Sequence, residues 1–301
     1  MQKLKLSGGV NLYKIFIWLV VFFWGMSFVA TKVVVSYIPP ATAALIRFLI
    51  ALVFLIFVNR KFPKILNLHG FFAGFWGITM YFYFENAGLV HTFPTNASLI
   101  VSSAPILHIL FSHIIQKKKA TMMEYIASFI AFSGVAVVIL NGKFALKINP
   151  VGDIMLFGAA SVWVLYTYHV EKMPNSDSLE GVAAITFWGV VTLIPFSLVE
   201  KNSWVSFNPA SFVSLMYLGV VCSGIAYVLW NKGIKKVGSR YTTNTIYFIP
   251  VLTSIAESIF LKRLPNLYTI FGGAMVLVGL WLFNFSRRRL VYENISEGED
   301  E

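Results

Sequence analysis

The sequence predicts an all-α membrane protein of ten transmembrane helices, arranged as a five-plus-five inverted-topology repeat with both termini cytoplasmic. Three observations carry that expectation. The 301 residues are 57% hydrophobic and only 12% charged, with a mean hydropathy of +0.74. A soluble domain carries about 25% charged residues, so this chain lacks the polar cover that a water-facing surface needs. Apolar runs of the length needed to cross hydrocarbon, about 20 residues, recur along the whole chain. Finally, landmarks repeat at a constant offset of 145 residues: Asn86 and Asn231, Gly88 and Gly233, Pro105 and Pro250, Gly74 and Gly219, Gly134 and Gly279. A fixed spacing of this kind marks an internal duplication.

Taken in order, the predicted spans are 14–36, 40–59, 69–90, 95–115, 122–141, 152–171, 179–199, 210–231, 241–261 and 267–286. The first exceeds a signal-peptide core and has no small-residue cleavage site, so it reads as a true span. Pro, Asn and Gly punctuate the short connections, as in SYIPP, NRKFPK and NSWVSFNP. Residues 10–145 form the first five-helix repeat and 146–286 the second. Residues 287–301, basic then acidic, read as a cytoplasmic tail with a disordered end.

Charge sets the orientation. A formal charge of +11 would suggest a nucleic-acid partner in a soluble protein, but these cations sit in short clusters between apolar runs. With the N-terminus inside, 17 Lys and Arg fall on the cytoplasmic side, including Lys117–Lys119 and Arg287–Arg289, against 6 outside. That asymmetry places both ends in the cytoplasm of a multi-pass cell-membrane (plasma or inner-membrane) protein. Five spans per copy then force the second copy to enter upside down. Inverted repeats with a site at their interface are the architecture of secondary transporters.

Catalytic and metal chemistry find little footing. The single Cys222 lies in an apolar run, the five histidines show no HExxH, and no glycine cluster matches GxGxxG. No cofactor or metal is expected. Polar residues on one helical face are more informative. Thr243, Tyr247, Pro250, Ser254 and Glu257 share a stripe on span nine, and Ser98, Ser102 and Pro105 share one on span four. Either this face lines a wet cavity, or its hydroxyls bond back to their own helices; recurrence in both copies favours the cavity. Trp24 on span one, Trp163 and Tyr166 on span six, Tyr81 near Glu85 on span three, and Tyr227 near Asn231 on span eight are candidate wall residues. Asn86 and Asn231, as repeat partners, either contact substrate or satisfy helix ends. Arg47, Glu85 and Glu257 lie within hydrocarbon depth, where a charge needs a partner. Pairing of Arg47 with Glu85 or Glu257 would form an outer gate, and protonation of either Glu would offer coupling to a proton gradient. Lys32, at the same level, is expected to snorkel to the headgroups.

Together WGMSF at 24–28, Arg47, ENAGLVHTFPTNASLIVSSAP at 85–105, YVLWNKGIKKVGS at 227–239, YFIP at 247–250 and the glycine-rich fifth and tenth spans resemble the EamA-type branch of the drug/metabolite transporter superfamily. The resemblance covers residues 15 to 285. It implies a ten-helix carrier that exports amino acids or similar small metabolites through a cavity built from spans one, three, four, six, eight and nine, with five and ten peripheral. The Gly-Glu pairs that the family often carries near the ends of spans four and nine are replaced here by QKKK (116–119) and LKR (261–263), so no role is transferred to those positions. A scaffold or receptor without transport and an intramembrane enzyme are the alternatives; the second lacks any visible nucleophile–base pair.

Overall fold

The computed structural model describes residues 2–118, 120–140, 150–200, 208–262 and 267–297, and among these it is helical with no strand. In the first half, α1 spans Gln2–Val35 and α2 Pro40–Asn59. Helix α3 runs through Leu68–Gly74, a π-helical stretch Phe75–Met80, and Tyr81–His91. Helix α4 comprises Pro94–Val101 and Ala104–Ile114, and α5 is Met122–Leu140. The second half starts with α6, Pro150–Lys172, and α7, Leu179–Val199. Helix α8 runs through Pro209–Met216, a π-helical stretch Tyr217–Ile225, and Ala226–Lys236. Helix α9 contains Ser239–Asn244, a 3₁₀ turn Thr245–Phe248 and Ile249–Leu261, and α10 is Leu267–Glu297.

Local chemistry explains several helix starts. Asn67, Ser178 and Asn208 accept from the backbone N–H three residues on, at 2.8–2.9 Å, satisfying donors that a first turn leaves open. Pro40, Pro94 and Pro209 occupy first turns, where the missing N–H costs nothing. Among the described residues, seven helices are long and apolar enough to cross a membrane: Leu12–Val35, Pro40–Asn59, Pro94–Ile114, Val151–Lys172, Leu179–Val199, Pro209–Lys236 and Ser239–Leu261. Their outward faces carry large apolar side chains in the open, such as Phe57 at 80% and Val199 at 85% exposure, as expected for contact with lipid. This is a multi-pass membrane protein.

Helix ends differ from the sequence reading in two places. Helix α1 reaches back to Gln2, and α10 continues through Arg287–Arg289 to Glu297, into the tail whose end was expected to be disordered. No proline or glycine interrupts the stretch before Gly298, so nothing in the sequence stops the last helix earlier.

The duplication leaves a structural echo. Under the 145-residue offset, the π stretch of α3 falls inside that of α8, and the break of α4 at Ser102–Ser103 falls inside the 3₁₀ turn of α9. Pro105 and Pro250 follow these two breaks, removing an N–H from each ladder. The glycine landmarks mark close approaches between the halves. A Cβ at Gly74 would lie 2.5 Å from Ile185 O of α7, whereas one at Gly219 would lie 2.6 Å from Ile50 of α2. Likewise Gly88 faces Leu156 of α6 and Gly233 faces Ile17 of α1. Helices α3 and α8 thus pack on the first two helices of the opposite half. Helices α5 and α10 pack on each other through Gly134 and Gly279, to one side.

Contacts also sort the helix ends into two groups. At one end of the bundle, Lys32 Nζ donates to Leu89 O at 2.6 Å and Asn86 Nδ2 to Pro40 O at 2.9 Å. Glu200 accepts from Ala41 N and Thr42 N, and Glu257 from Thr95 N and Oγ1. At the other end, among the described residues, lie the ion pairs Lys118–Glu171, Arg240–Glu124 and Lys236–Asp177. Glu171 there also accepts from Ser239 Oγ, and the Nδ1 atoms of His69 and His169 meet at 3.0 Å.

Candidate functional site: a charged aromatic cavity between the halves

Between the two groups of ends, α1, α2, α3, α4, α6, α8 and α9 surround a cavity. Its walls are Trp24, Ser27, Phe28, Arg47, Tyr81, Phe82, Glu85, Ser98, Val101, Ser102, Trp163, Tyr227, Ile246 and Ile249. Counted as room for water centres, its volume is about 30 Å³, enough for about two or three waters.

The π stretches position the aromatic wall. A π turn widens the helix and leaves backbone carbonyls to be satisfied from outside. In α8, Cys222 O accepts from Trp24 Nε1 at 3.0 Å, and in α3, Gly77 O accepts from Tyr227 Oη at 3.1 Å. Each bond crosses between the halves and fixes a cavity ring. The rings then lock one another: Trp24 meets Trp163 edge-on at 5.4 Å and Tyr227 at 5.9 Å, while Tyr81 lies 5.0 Å from Trp163. Such offset and edge arrangements are the favoured ones for aromatic pairs.

Two ionisable side chains share this chamber. Arg47, 3% exposed, donates from Nε to Ser223 Oγ at 2.7 Å, and its guanidinium lies 4.3 Å from the centre of the Phe82 ring. Glu85, 2% exposed, makes no hydrogen bond to any described residue, and its Oε2 is fully buried. Trp163 Nε1 is likewise buried without an acceptor. The serines behave differently. Ser98 Oγ donates to Thr95 O, and Ser102 Oγ to Ser98 O, with Ile246 O of α9 at 3.4 Å. They line the cavity, but their protons are turned back on their own helix.

Of the residues singled out by sequence, Trp24, Tyr81, Glu85, Ser98, Ser102, Trp163, Tyr227 and Arg47 meet at this cavity; Asn86, Tyr166, Asn231, Tyr247, Ser254 and Glu257 do not. Asn231 Oδ1 accepts from Tyr166 Oη at 2.6 Å while its Nδ2 donates to Ser176 O at 3.0 Å, so both residues hold α6 to α8. Asn86 ties α3 to the start of α2. Tyr247 turns instead toward Leu99, Ala131, Val276 and Leu280, and its Oη lies 3.5 Å from Ser128 O. The 3₁₀ turn explains the change of face: at about 3.0 rather than 3.6 residues per turn, four residues add roughly 80° of rotation. Ile246 and Ile249 face the cavity in its place. Ser27 and Phe28 were legible as the residues three and four after Trp24 on the same helical face.

The charged layer also differs from expectation. Arg47 forms no ion pair with Glu85 or Glu257, because Ser223 and the Phe82 ring hold its guanidinium elsewhere. Glu257 binds the N-terminal turn of α4, and Lys32 caps the C-terminal carbonyls of α3 rather than snorkelling. An anion at a helix start and a cation at a helix end both complement the helix dipole, and hydrogen bonding adds to this.

Comparison with known proteins places this architecture. A solved crystal structure with 20% sequence identity superposes at a TM-score of 0.75, covering 93% of this chain and 99% of the other, which establishes a shared fold. An uncharacterized transporter of Archaeoglobus fulgidus is 28% identical over 269 residues, 86% of this chain and 92% of that protein. The uncharacterized transporter YyaM of Bacillus subtilis is 28% identical, covering 86% of this chain and 88% of its own length. A protein described as a probable terminal-alkyne amino-acid exporter, from Streptantibioticus cattleyicolor, is 27% identical over 72% of this chain and 74% of its own. The sequence pattern of one family matches residues 11–140 and again 150–285. With two matches that together span most of its length, the chain belongs to the EamA-like transporter family, whose named relatives are transporters and not enzymes.

Proposed function

We propose that this protein is a secondary carrier that exports a small metabolite such as an amino acid by alternating access, working in the plasma or inner membrane. The observation that carries this reading is the cavity itself. It lies at the junction of the two halves, holds a buried guanidinium and a buried carboxyl group among aromatic rings, and has room only for water. Sites that enclose small molecules occupy several hundred Å³, so loading requires the halves to move apart. The ten-span, inverted arrangement with both termini cytoplasmic belongs to the same reading. It is supported by the exchanged packing of α3 and α8 on the opposite half, and by the sorting of helix ends. The ends of α1 and α3 meet the starts of α2 and α4, whereas those of α6 and α8 gather at the opposite end. The exporter of Streptantibioticus cattleyicolor adds weight to an amino-acid substrate.

Counterflow of radiolabelled amino acids in proteoliposomes tests the carrier: preloaded unlabelled substrate should drive transient accumulation of label, unchanged chemically. No accumulation across the amino acids would leave a scaffold, and a changed compound would indicate an enzyme. For orientation, Cys222 is first replaced. A cysteine at Asn149 should then react with an impermeant maleimide from outside intact cells, and one at Lys118 should not; the reverse pattern would overturn the topology.

A further inference from the structure

The cavity contains more polar capacity than its own residues use. Arg47 spends Nε on Ser223, and its two terminal nitrogens have no hydrogen-bond acceptor among the described residues. Trp163 adds an indole N–H with no acceptor, and Glu85 adds a carboxylate with no donor. All three side chains belong to one small chamber, and Arg47 and Glu85 do not satisfy each other there. Buried charges left in this state are costly unless a partner arrives.

The required partner can be read from that inventory. A simple cation would answer Glu85 and leave Arg47 unpaired, and a simple anion would do the opposite. A neutral sugar would answer neither charge. One molecule carrying both a carboxylate and an ammonium answers both and leaves no net charge in the cavity. Planar bidentate binding of a carboxylate is the particular strength of a guanidinium. An ammonium suits a lone carboxylate, and the faces of Trp24, Trp163 and Tyr227 add to its attraction. Between and around the two charges the walls are apolar, from Phe28, Val101, Ile246 and Ile249.

We propose that Arg47 and Glu85 are the two poles of a zwitterion site, Arg47 and Trp163 taking the carboxylate, Glu85 taking the ammonium, and the apolar and aromatic walls taking the side chain. This rests on the carrier reading for its purpose, but it assigns the charge order and the specificity residues, which that reading does not. Ser223 is a positioning residue: it sets the direction of the Arg47 fork through Nε and leaves the charge unchanged.

Binding to the purified full chain tests the assignment independently of transport. The probes are L-leucine and L-phenylalanine, each beside its decarboxylated amine and its deaminated acid, titrated by calorimetry in detergent. The wild type should bind at least one amino acid roughly tenfold or more tightly than either of its halves, since each half forfeits a charge-assisted contact. Glu85→Gln should weaken the amino acid by a similar factor and leave the deaminated acid within about twofold. Arg47→Gln should give the mirror image, sparing the amine. Should Arg47→Gln fail to yield a monodisperse protein, Ser223→Ala substitutes for it, with weaker amino acid and acid binding and unchanged amine binding expected. Equal affinity of the wild type for an amino acid and one of its halves, or uniform weakening of all probes by each variant, would overturn the proposal. Selective binding without counterflow would sink the carrier reading alone. Counterflow of these amino acids with no crossover in the variants would sink the two poles alone.

Discussion

Asn231 and Tyr166 offer a sharp test of which polar residues hold the bundle and which read substrate. Both are fully buried and outside the cavity, and they are joined by the 2.6 Å bond from Tyr166 Oη to Asn231 Oδ1. Tyr166→Phe removes that donor and strands one amide oxygen, a cost of about 1–3 kcal/mol for an unsatisfied buried group. Asn231→Leu strands two groups, Tyr166 Oη and the Ser176 carbonyl, for roughly 2–6 kcal/mol by the same measure. In the double variant only the Ser176 carbonyl is left. Two stranded groups, Asn231 Oδ1 and Tyr166 Oη, are thereby avoided, so its cost should fall below the sum of the single costs by about 2–6 kcal/mol. Denaturant unfolding in detergent, followed by tryptophan fluorescence, measures all three. Ligand affinity of Tyr166→Phe should stay at the wild-type level. Strictly additive losses, or a large loss of affinity without a loss of stability, would refute the assignment of these residues to α6–α8 cohesion.

Two more perturbations probe packing and closure. Gly74→Ala would set a methyl 2.5 Å from Ile185 O and 2.7 Å from Gly189 N. Backbone atoms cannot swing aside, so the protein should lose about 1–3 kcal/mol of stability in the same unfolding assay; an unchanged midpoint would show that α3 and α7 do not approach this closely in the folded protein. At the ion-paired end, Glu171 receives Lys118, Gln116 and Ser239 from around it. Glu171→Gln should speed the reaction of a cysteine at the buried position Ser112 with maleimide, in a Cys222-free background. A rate equal to that of the parent would mean that Glu171 does not hold this end shut.

How far the sequence could be read depended on which periodicity governed each helix. Membrane placement followed from composition, and the duplication from the five glycine, asparagine and proline pairs. Trp24, Trp163, Tyr81 and Tyr227 were legible because they stand on helical faces that their polar neighbours mark. Tyr247 and Ser254 were misplaced because a stripe drawn at 3.6 residues per turn does not pass through a 3₁₀ turn unrotated. Charges were harder still. Lys32, Glu200 and Glu257 are absorbed by backbone groups at helix ends, and sequence displays side-chain charges while hiding which backbone amides and carbonyls lie open. Asn231 needed its partner: the carbonyl of Ser176 becomes available only where the α6–α7 connection folds beneath α8.

The two broken helices carry the consequence for movement. Helices α4 and α9 run against each other through the cavity wall and are tied at both ends. Glu257 of α9 holds the start of α4, while Arg240 of α9 donates to Lys118 O just beyond the end of α4 and His108 meets Ser239. A rigid pair tied in this way could open neither end without straining the other. The breaks at Ser102–Ser103 and Thr245–Phe248 lie between the two ties, where irregular helix already interrupts the regular i→i−4 ladder. Bending there lets one tie part while the other stays made, and the ring of cavity residues around Ser102 and Ile246 is the part of the wall that such bending would move first. The alternating access proposed above therefore carries a physical requirement that can be stated in residues: the Glu257–Thr95 contact and the Arg240–Lys118 contact must not both be broken in one conformation.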